Sequence, residues 1–403
     1  GFFDAGLKKL LSNVPSVVLT ATVVFVGVLS SIATDAGYVV VVPLGAMIFL
    51  SAGKHPIAGL AAAFAGVSGG FSANLLFGPT DAILSGLTNE SLSAANIDAV
   101  IDIAGNWYFI ITSTFFLTIV GTLVTELVVV PNLGTYKNTE IDSTGSQITE
   151  LEKKGLNRAV IGLLIYAVIL GFLMFPENAI FKEADSAGEV NLTNFLFHGL
   201  IPALFLLFLI PGYIYGKTVG TIKDTTELVG AMTDSMQAMG GYIVLAFFAS
   251  QFIALFSYTN LGTILSVNGA NFLNSIGLKG IPLVILFIIL TGFLNLFIGS
   301  ASAKWAIMAP IFVPMFFELG ISPELTQMAY RIADSSTNII SPLMSYFAMV
   351  VVFMQKYDKD SGLGTLISTM LPYSIAFLIF WTLLLIIWIL LGLPLGPGSG
   401  LYV

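Results

Sequence analysis

The residues best suited to chemistry are an arginine and an aspartate within one apolar segment. Arg331 is one of two arginines in the chain, and Asp334 follows it by one helical turn. A charged side chain at the centre of a bilayer costs about 2.5–3.5 kcal/mol or more. Because a planar guanidinium matches a carboxylate with two hydrogen bonds, Arg331 could anchor an anionic substrate. The alternative is an internal ion pair with Asp334, which could itself bind the substrate or a coupling ion.

Small polar side chains interrupt the apolar sequence at two places. Their hydroxyl and amide oxygens are suitable ligands for a hard cation such as Na⁺. The alternative is that they hydrogen-bond to the backbone where a helix breaks. The candidate ion ligands of this class are Ser72, Asn74, Ser336, Thr337 and Asn338.

Five other polar or aromatic residues each have two possible roles. Asp35 could be an ion ligand and Ser302 a substrate ligand, or both could cap helices. Trp305 could stack on an aromatic substrate, or it could anchor the chain at the membrane interface. Lys304 could shape the chain next to Trp305 or attract anions. Asp81 could bind the substrate or the coupling ion, or it could be a loop carboxylate at the outer surface.

These residues belong to a very apolar chain. Its 403 residues are 56% hydrophobic and 9% charged, whereas soluble domains average roughly 45–50% apolar and 25% charged. No soluble core could bury so much apolar surface with so few charges. A mean hydropathy of +0.95 therefore predicts membrane helices, with the lipid bilayer as the main partner.

The composition also excludes several classes of site. A net charge of −8 leaves no basic face for nucleic-acid phosphates. The absence of cysteine excludes disulfides, thiolate metal sites and thiol nucleophiles. The two histidines, His55 and His198, are far apart and lack the spacing of metal ligands on a helix. We predict no transition-metal site and no cofactor, apart from a coupling ion.

The elements that position the polar residues are long apolar runs. A bilayer-spanning helix needs about 20 residues, so the runs at 15–51 and 281–319 are too long for one span. Each is interrupted by small polar residues, near 30–36 and 299–304. Non-helical backbone at membrane depth is tolerated only where protein or a watery cavity satisfies it. Both runs are therefore predicted to be re-entrant hairpins.

An internal repeat relates the two hairpins. Pro43 and Pro56 are thirteen residues apart, as are Pro310 and Pro323. The predicted tips also correspond, because Asp35 and Ser302 each precede the first proline of their pair by eight residues. Lysine- and arginine-rich segments, which mark the cytoplasmic side, place the hairpins on opposite sides of the membrane. This pattern is typical of inverted-repeat transporters, whose binding sites lie at helix breaks near the midplane.

We therefore predict an all-α polytopic membrane protein with an inverted-repeat core, two opposed re-entrant helical hairpins and two broken helices. The first half is 1–131, with a hairpin at about 15–51, a broken helix at about 56–81 and a span at 106–131. Scaffold spans and a cytoplasmic linker follow at 132–241. The second half is 242–403, with a hairpin at about 281–319, a broken helix at about 323–354 and a final span at 365–395. The polar breaks themselves are predicted around 68–81 and 333–346.

Four long stretches closely resemble the AbgT family of bacterial p-aminobenzoyl-glutamate transporters: SSIATDAGYVVVVPLGAMIF, HPIAGLAAAFAGVSGGFSANLLFGPTD, GSASAKWAIMAPIFVPMF and RIADSSTNIISPLMSY. The resemblance implies a homodimeric, multi-pass transporter of the bacterial inner membrane. It also implies that p-aminobenzoyl-glutamate or related folate-breakdown compounds are substrates, and that sulfonamide antimetabolites are exported. Family members carry two further N-terminal helices, so we expect residues before Gly1.

The same resemblance implies which residues bind substrate. By motif, the family's functional positions fall on Asp81, Asn295, Ser302, Trp305, Pro323, Arg331, Asp334 and Pro342.

Three classes of function are compatible with such a core. The leading hypothesis is an ion-coupled carrier of a small aromatic anion, working by alternating access with Na⁺ or H⁺ as the coupling ion; the direction of transport stays open. A sodium-coupled carrier of another organic anion, such as a dicarboxylate, is the alternative. A channel could also use re-entrant loops, but an inverted repeat disfavours it. A hydrolase with Asp81 and Asp334 as its carboxylates is disfavoured because the two occupy non-equivalent repeat positions.

Overall fold

The computed structural model describes most of the chain. The described residues are 18–33, 37–136, 149–176, 179–184, 190–191, 199–238 and 258–403, with scattered positions between 2 and 9 and between 244 and 255. Asp35 and His198 lie outside the described residues, so the predictions made for them stay untested.

Helices make up nearly all of the regular structure in the described residues. The first six are α1 (Leu19–Leu29), α2 (Val42–Ser51), α3 (Pro56–Phe64), α4 (Pro79–Ala94), α5 (Trp107–Val124) and α6 (Val130–Leu133). The next three are α7 (Glu150–Met174), α8 (Leu200–Val219) and α9 (Thr225–Ala238). The last six are α10 (Leu261–Ser275), α11 (Gly280–Asn295), α12 (Ala301–Glu318), α13 (Pro323–Asn338), α14 (Phe347–Gln355) and α15 (Leu363–Leu390). Two short antiparallel strands, β1 (Glu183–Ala184) and β2 (Val190–Asn191), are the exception. The predicted all-α class is confirmed.

Several of these helices can cross a bilayer by length and composition. Among the described residues, three do so alone: Trp107–Leu133, Glu150–Met174 and Leu363–Leu390. A fourth candidate is a pair of helices, Val267–Ser275 and Gly280–Asn295, which meet at a bend of 119°. Their outward faces are apolar; Phe172 on α7, for example, is 73% exposed. Such faces are suited to lipid contact rather than to water.

The chain forms two compact units. The smaller consists of Gly1–Leu10 and Gln147–Ile243, and the larger consists of Leu11–Ser146 and Val244–Val403. In the smaller unit, α7 packs against α8 around the buried side chains of Leu156, Ala159 and Tyr215. Within the predicted linker, α9 is a largely exposed helix. The division into two repeat halves and a scaffold stays a prediction.

Both predicted hairpins are helix–break–helix segments in the larger unit. In the first, α1 continues into a 3-10 turn at Ser30–Ala33, and a π-helical turn at Gly37–Val41 leads into α2. In the second, α11 and α12 are separated by residues 296–300. This break is earlier than the predicted 299–304, because Ser300 caps α12 by accepting a hydrogen bond from the Ala303 amide at 3.3 Å. Whether either segment enters and leaves on one side of the membrane stays a prediction.

The two predicted broken helices are also broken in the structure. The first runs through α3 and a π-helical turn at Ala65–Gly69, and residues 70–78 then separate it from α4. The second is α13, which residues 339–346 separate from α14. Ser72 and Asn74 lie in the first break, as predicted. The triplet from Ser336 to Asn338, however, forms the end of α13 and precedes the second break.

Each hairpin packs against the broken helix of its own half. α1 and α2 contact the first broken helix, and α11 and α12 contact α13. In the first half the approach is very close: a Cβ atom added at Gly59 would lie 2.3 Å from the Gly45 carbonyl oxygen. Small residues allow membrane helices to approach each other in this way.

We predict that Gly59→Ala lowers the free energy of unfolding by about 1–3 kcal/mol, because the added methyl group overlaps the backbone of α2. The measurement is thermal unfolding of the purified protein in detergent. Gly86→Ala is the matched control, since a Cβ atom there meets no atom of the described residues within 4 Å. In that exposed helical position alanine should leave stability unchanged or raise it by roughly 0.5–1 kcal/mol. Equal midpoints for the two variants would contradict the tight packing of α2 on α3.

Candidate functional site

The polar residues of the core are concentrated on α13. The helix begins at Pro323, and the Ser322 hydroxyl caps it by accepting from the Leu325 amide at 3.2 Å. From Leu325 to Asn338 every residue is buried, including both charged side chains. The structure therefore gives Pro323 a role in starting the helix, which places the charged turn of α13 in the interior.

Asp334 pairs with a lysine from the second hairpin. Its Oδ1 atom lies 2.6 Å from Lys304 Nζ, and the two side chains are 1% and 0% exposed. Lys304 also donates to the Asn295 side-chain oxygen and lies 5.3 Å from the centre of the Tyr330 ring. Asn338 donates to the other Asp334 carboxylate oxygen at 3.3 Å. Lys304 is therefore a structural partner of Asp334.

Asn295, at the end of α11, connects the hairpin to α13. Its amide nitrogen lies 2.9 Å from the Asp334 carbonyl oxygen, 2.8 Å from Thr337 Oγ1 and 2.9 Å from Asn338 Oδ1, three acceptors that share its two N–H donors. With three acceptors around the nitrogen, the amide oxygen is turned toward Lys304. In the described residues Ser336 Oγ is buried without a hydrogen-bond partner. Four of the residues predicted in the second half, Asn295, Asp334, Thr337 and Asn338, thus form one cluster.

Arg331 pairs with Asp81, not with Asp334. Its Nη2 atom lies 2.6 Å from Asp81 Oδ1, and Asp81 Oδ2 accepts from the Gly78 amide at 2.7 Å. The alternative of an ion pair between Arg331 and Asp334 is not found in this structure. The surface-loop alternative for Asp81 is wrong, because Asp81 is buried in the first turn of α4. Within the described part of the chain, Arg331 Nε has no hydrogen-bond partner. The guanidinium therefore retains one free donor.

Trp305 is held inside a chain of polar contacts. Its indole N–H donates to Thr88 Oγ1 at 2.9 Å, and Gln327 donates to the same oxygen at 3.0 Å. Gln327 accepts in turn from Asn106 at 3.0 Å. The Trp305 ring packs on Tyr330 with centroids 4.5 Å apart and is 0% exposed. An interfacial anchor is therefore wrong for Trp305, and stacking on a substrate would require the ring to become exposed.

The first break is joined to α13. The Ser72 amide donates to Ser335 Oγ at 3.1 Å. The Asn74 side chain donates to Ser31 in the first hairpin at 2.9 Å and accepts from the Leu75 amide at 2.8 Å. In this conformation Asn74 hydrogen-bonds to the backbone and to the first hairpin, which is the alternative role given in the sequence analysis.

A cavity of about 320 Å³ opens beside these contacts, between both breaks and the second hairpin. Ser302 and Asn338, both predicted from the sequence, line it together with Thr80, which precedes Asp81. Tyr38 and Tyr346 form another part of its wall, with their rings stacked 4.4 Å apart. Pro342 is exposed in the second break and does not line the cavity. The cavity thus has an aromatic side and a polar side.

Sequence reasoning missed the residues that support Trp305. Thr88, Gln327 and Asn106 lie on three different elements, and no spacing connects them. Tyr38 and Tyr346 were missed for the same reason, although both occur within the stretches that carry the family resemblance. Lys304 was noticed, but its partner lies 30 residues away on another helix.

The comparisons with known proteins match this architecture. The model of the AbgT transporter family matches residues 1–403. This chain belongs to the AbgT family. It is 38% identical to the p-aminobenzoyl-glutamate transport protein of Escherichia coli K12 over 398 residues, which are 99% of this chain and 78% of that protein. Members of the family are transporters and not enzymes.

Two solved AbgT-family structures share the fold. The Alcanivorax borkumensis YdaH transporter is 44% identical with a TM-score of 0.93, covering 98% of this chain and 82% of that one. Neisseria gonorrhoeae MtrF, described as illuminating a class of antimetabolite efflux pumps, is 45% identical with a TM-score of 0.90. The match to MtrF covers 98% of this chain and 79% of that one.

We predict that Asp81→Asn lowers the free energy of unfolding by about 3–5 kcal/mol, because it leaves the buried Arg331 charge unpaired. Adding Arg331→Met should then cost less than it does in the wild type, since the orphaned charge is removed. Thermal unfolding of the single and double variants measures this coupling. Asp98→Asn, an exposed carboxylate in the loop after α4, is the control and should shift the midpoint little. Strictly additive effects would contradict a direct pair between Asp81 and Arg331.

Proposed function

We propose that this chain transports p-aminobenzoyl-glutamate, related folate-breakdown products or sulfonamide-type antimetabolites across the bacterial inner membrane. The names of its relatives support this class of substrate. The structural observation that carries the proposal is the buried guanidinium of Arg331, which among the described residues is paired with a single carboxylate and keeps an unused Nε donor. A carboxylate group of the substrate is the complementary ligand for such a group.

Substrate recognition would use the two sides of the cavity. The residue that pairs with Arg331 is Asp81, and its neighbour Thr80 lines the cavity. A substrate carboxylate that reaches Arg331 would compete with Asp81 for the guanidinium. The aromatic ring of the substrate would pack near the Tyr38 and Tyr346 wall, where rings offer apolar area with defined geometry. Ser302 and Asn338 would then contact the polar part of the molecule.

Transport would proceed by alternating access of the hairpin-bearing core. Each hairpin contacts the broken helix of its own half, an arrangement that is compatible with an inverted-repeat carrier. Coupling arises if an ion and the substrate favour the same conformation, so that each raises the affinity for the other. The coupling ion is Na⁺ or H⁺, with Asp334, Asp81 and the oxygens of Ser72 and Asn338 as candidate ligands. A sodium symporter would import substrate, whereas a proton antiporter would export it.

A homodimer is the proposed assembly. The family resemblance supports it, and the chain suits a direct test because it contains no cysteine. Single cysteines introduced on exposed apolar faces can be cross-linked in native membranes, and a dimer band from one face only would identify the interface.

We predict gradient-driven movement of labelled p-aminobenzoyl-glutamate into or out of proteoliposomes that contain the full-length protein. Na⁺ and H⁺ gradients are imposed separately, and the effective gradient identifies the ion and the direction. Arg331→Ala should reduce transport at least about tenfold, because losing a charged hydrogen-bonding partner costs several kcal/mol of binding energy. Asn338→Ala should reduce it as well, since Asn338 lines the cavity and contacts Asp334.

The controls are the chemically matched residues outside the core. Arg158→Ala removes the other arginine, which is exposed on α7, and Asn268→Ala removes an exposed asparagine on α10. Both should transport like the wild type. Transport that ignores both gradients, or that Arg331→Ala and Asn338→Ala leave unchanged, would show that the substrate or the site is wrongly assigned. Antifolates and dicarboxylates would then be tested in the same vesicles.

A further inference from the structure

A second cavity, of about 240 Å³, lies between α10 and the two helices of the second hairpin. It shares no lining residue with the cavity beside the two breaks. Its wall consists of leucine, phenylalanine and methionine side chains from α10, α11 and α12, together with one glycine. Such a wall offers a ligand neither a charge nor a side-chain hydrogen bond. The cavity therefore suits a hydrocarbon group.

The floor of this cavity is well packed. Phe287 is 1% exposed, and its ring centre lies 4.9 Å from that of Phe312 and 5.0 Å from that of Phe316. Elsewhere in the wall α10 lies close against α12, because a Cβ atom added at Gly269 would overlap the Met315 side chain. The cavity is thus shaped by packed rings and a close helix contact, and not by a loose surface.

The rim of the cavity is exposed. Phe272, Leu286 and Leu290 all line it, and they are 62%, 49% and 38% exposed. Two of the three helices that form the cavity supply the bent pair Val267–Ser275 and Gly280–Asn295, which is long and apolar enough to cross a membrane. Apolar side chains exposed on such helices contact lipid rather than water. The surrounding lipid is therefore the nearest source of a ligand.

The volume of the cavity suits one hydrocarbon chain. An apolar cavity of about 150 Å³ is large enough to hold benzene, whereas the pockets that bind drug-sized ligands are about 300–1,000 Å³. The value for this cavity lies between the two. A segment of a single acyl chain fits a space of this size better than a drug-sized ring system does.

Lys279 lies where the headgroup of such a lipid would be. It is the only ionisable residue between Leu261 and Asn295, and it is exposed in the turn before α11. Because a helix rises about 1.5 Å per residue, the lining residues Leu283 and Leu290 lie roughly 6 and 16 Å further along α11. One leaflet supplies roughly 15 Å of hydrocarbon, half of a core about 30 Å thick. A cation followed by an apolar cavity over this distance matches an anionic headgroup and its acyl chain.

We propose that this cavity binds one acyl chain of an anionic glycerophospholipid whose headgroup lies at Lys279. The bound chain contacts α10 and both helices of the second hairpin at once. A consequence for transport rests on the proposed function: if the hairpin moves relative to α10, the lipid favours whichever conformation keeps the cavity open. The binding itself is testable without measuring transport.

The test is photolabelling of the full-length protein in phosphatidylcholine liposomes that contain a small fraction of phosphatidylglycerol with a diazirine in one acyl chain. Labelled peptides are identified by mass spectrometry, and label on the exposed face of α7 is the internal reference for bulk lipid. In the wild type the label should concentrate on the cavity-lining parts of α10, α11 and α12. Leu286→Trp should lower this label at least about fivefold, because the added indole competes with the chain for the cavity.

Ile289→Trp is the matched control for this substitution. Ile289 is 56% exposed on the same helix but does not line the cavity. Its label should therefore equal that of the wild type. Leu290→Trp, at a second position on the rim, replaces Leu286→Trp if that variant does not fold.

The headgroup is tested with the same diazirine chain on phosphatidylcholine. The wild type should favour the phosphatidylglycerol probe by about fivefold, the effect of one lysine near an anionic lipid surface. Lys279→Gln should remove this preference. Lys359→Gln, which changes an exposed lysine in the turn between α14 and α15, should retain it.

Four results would overturn the proposal. Label spread evenly over the lipid-facing helices would mean that the cavity holds no preferred chain, and equal label in Leu286→Trp and the wild type would place the lipid elsewhere. Equal labelling of the wild type by both probes would remove the anionic headgroup. A covalent dimer formed by cross-linking Leu286→Cys in native membranes would show that a second copy covers the cavity. Because no transport is measured, failure of the proposed substrate would leave the result intact.

Discussion

The neutralisation of two opposite charges on one buried helix is the constraint on which the rest of the core depends. Arg331 and Asp334 lie one turn apart on α13, yet each is paired with a residue from a different element. Removing one partner of a buried pair costs about 3–5 kcal/mol, because the remaining charge has no water around it. The hairpin that carries Lys304 and the helix that carries Asp81 are therefore held against α13 by charge as well as by packing. Pro323 and its Ser322 cap matter because they set where this charged turn lies.

Pairing across elements also determines what a conformational change would cost. If the second hairpin moves along α13, the contact between Lys304 and Asp334 must be kept, exchanged or replaced. If α4 moves, the contact between Arg331 and Asp81 must likewise be kept, exchanged or replaced. A ligand shifts such an equilibrium only through its different affinity for the two states. Where a charged group and its partner lie on different helices, an anionic substrate or a cation can bind one state more tightly than the other.

The helix–break–helix segments and the broken helices were predictable, because proline spacing and small polar interruptions are local signals. The pairing of the charges was not. Spacing of one helical turn made an ion pair between Arg331 and Asp334 an alternative, but Asp81 is 250 residues from Arg331 and becomes its partner only through the fold. The end of α13 was also misplaced, because side-chain contacts of Asn338 extend the helix through the polar triplet. The polarity of a few residues alone does not distinguish a break in a helix from a helix end whose polar groups hydrogen-bond to a neighbouring element.

The two predicted halves each place a hairpin against a broken helix, but they differ in charge. In a perfectly symmetric inverted repeat, exchanging the conformations of the halves would give two states of equal energy. Here the first half contributes one buried charge, Asp81, beside hydroxyl, amide and backbone groups at Ser72 and Asn74, while Lys304, Arg331 and Asp334 belong to the second half. In the proposed alternating-access mechanism, the two states would therefore differ in electrostatic energy before any ligand binds. In that mechanism, substrate and ion would act on this difference most directly at the charged turn of α13, where both buried ion pairs are made.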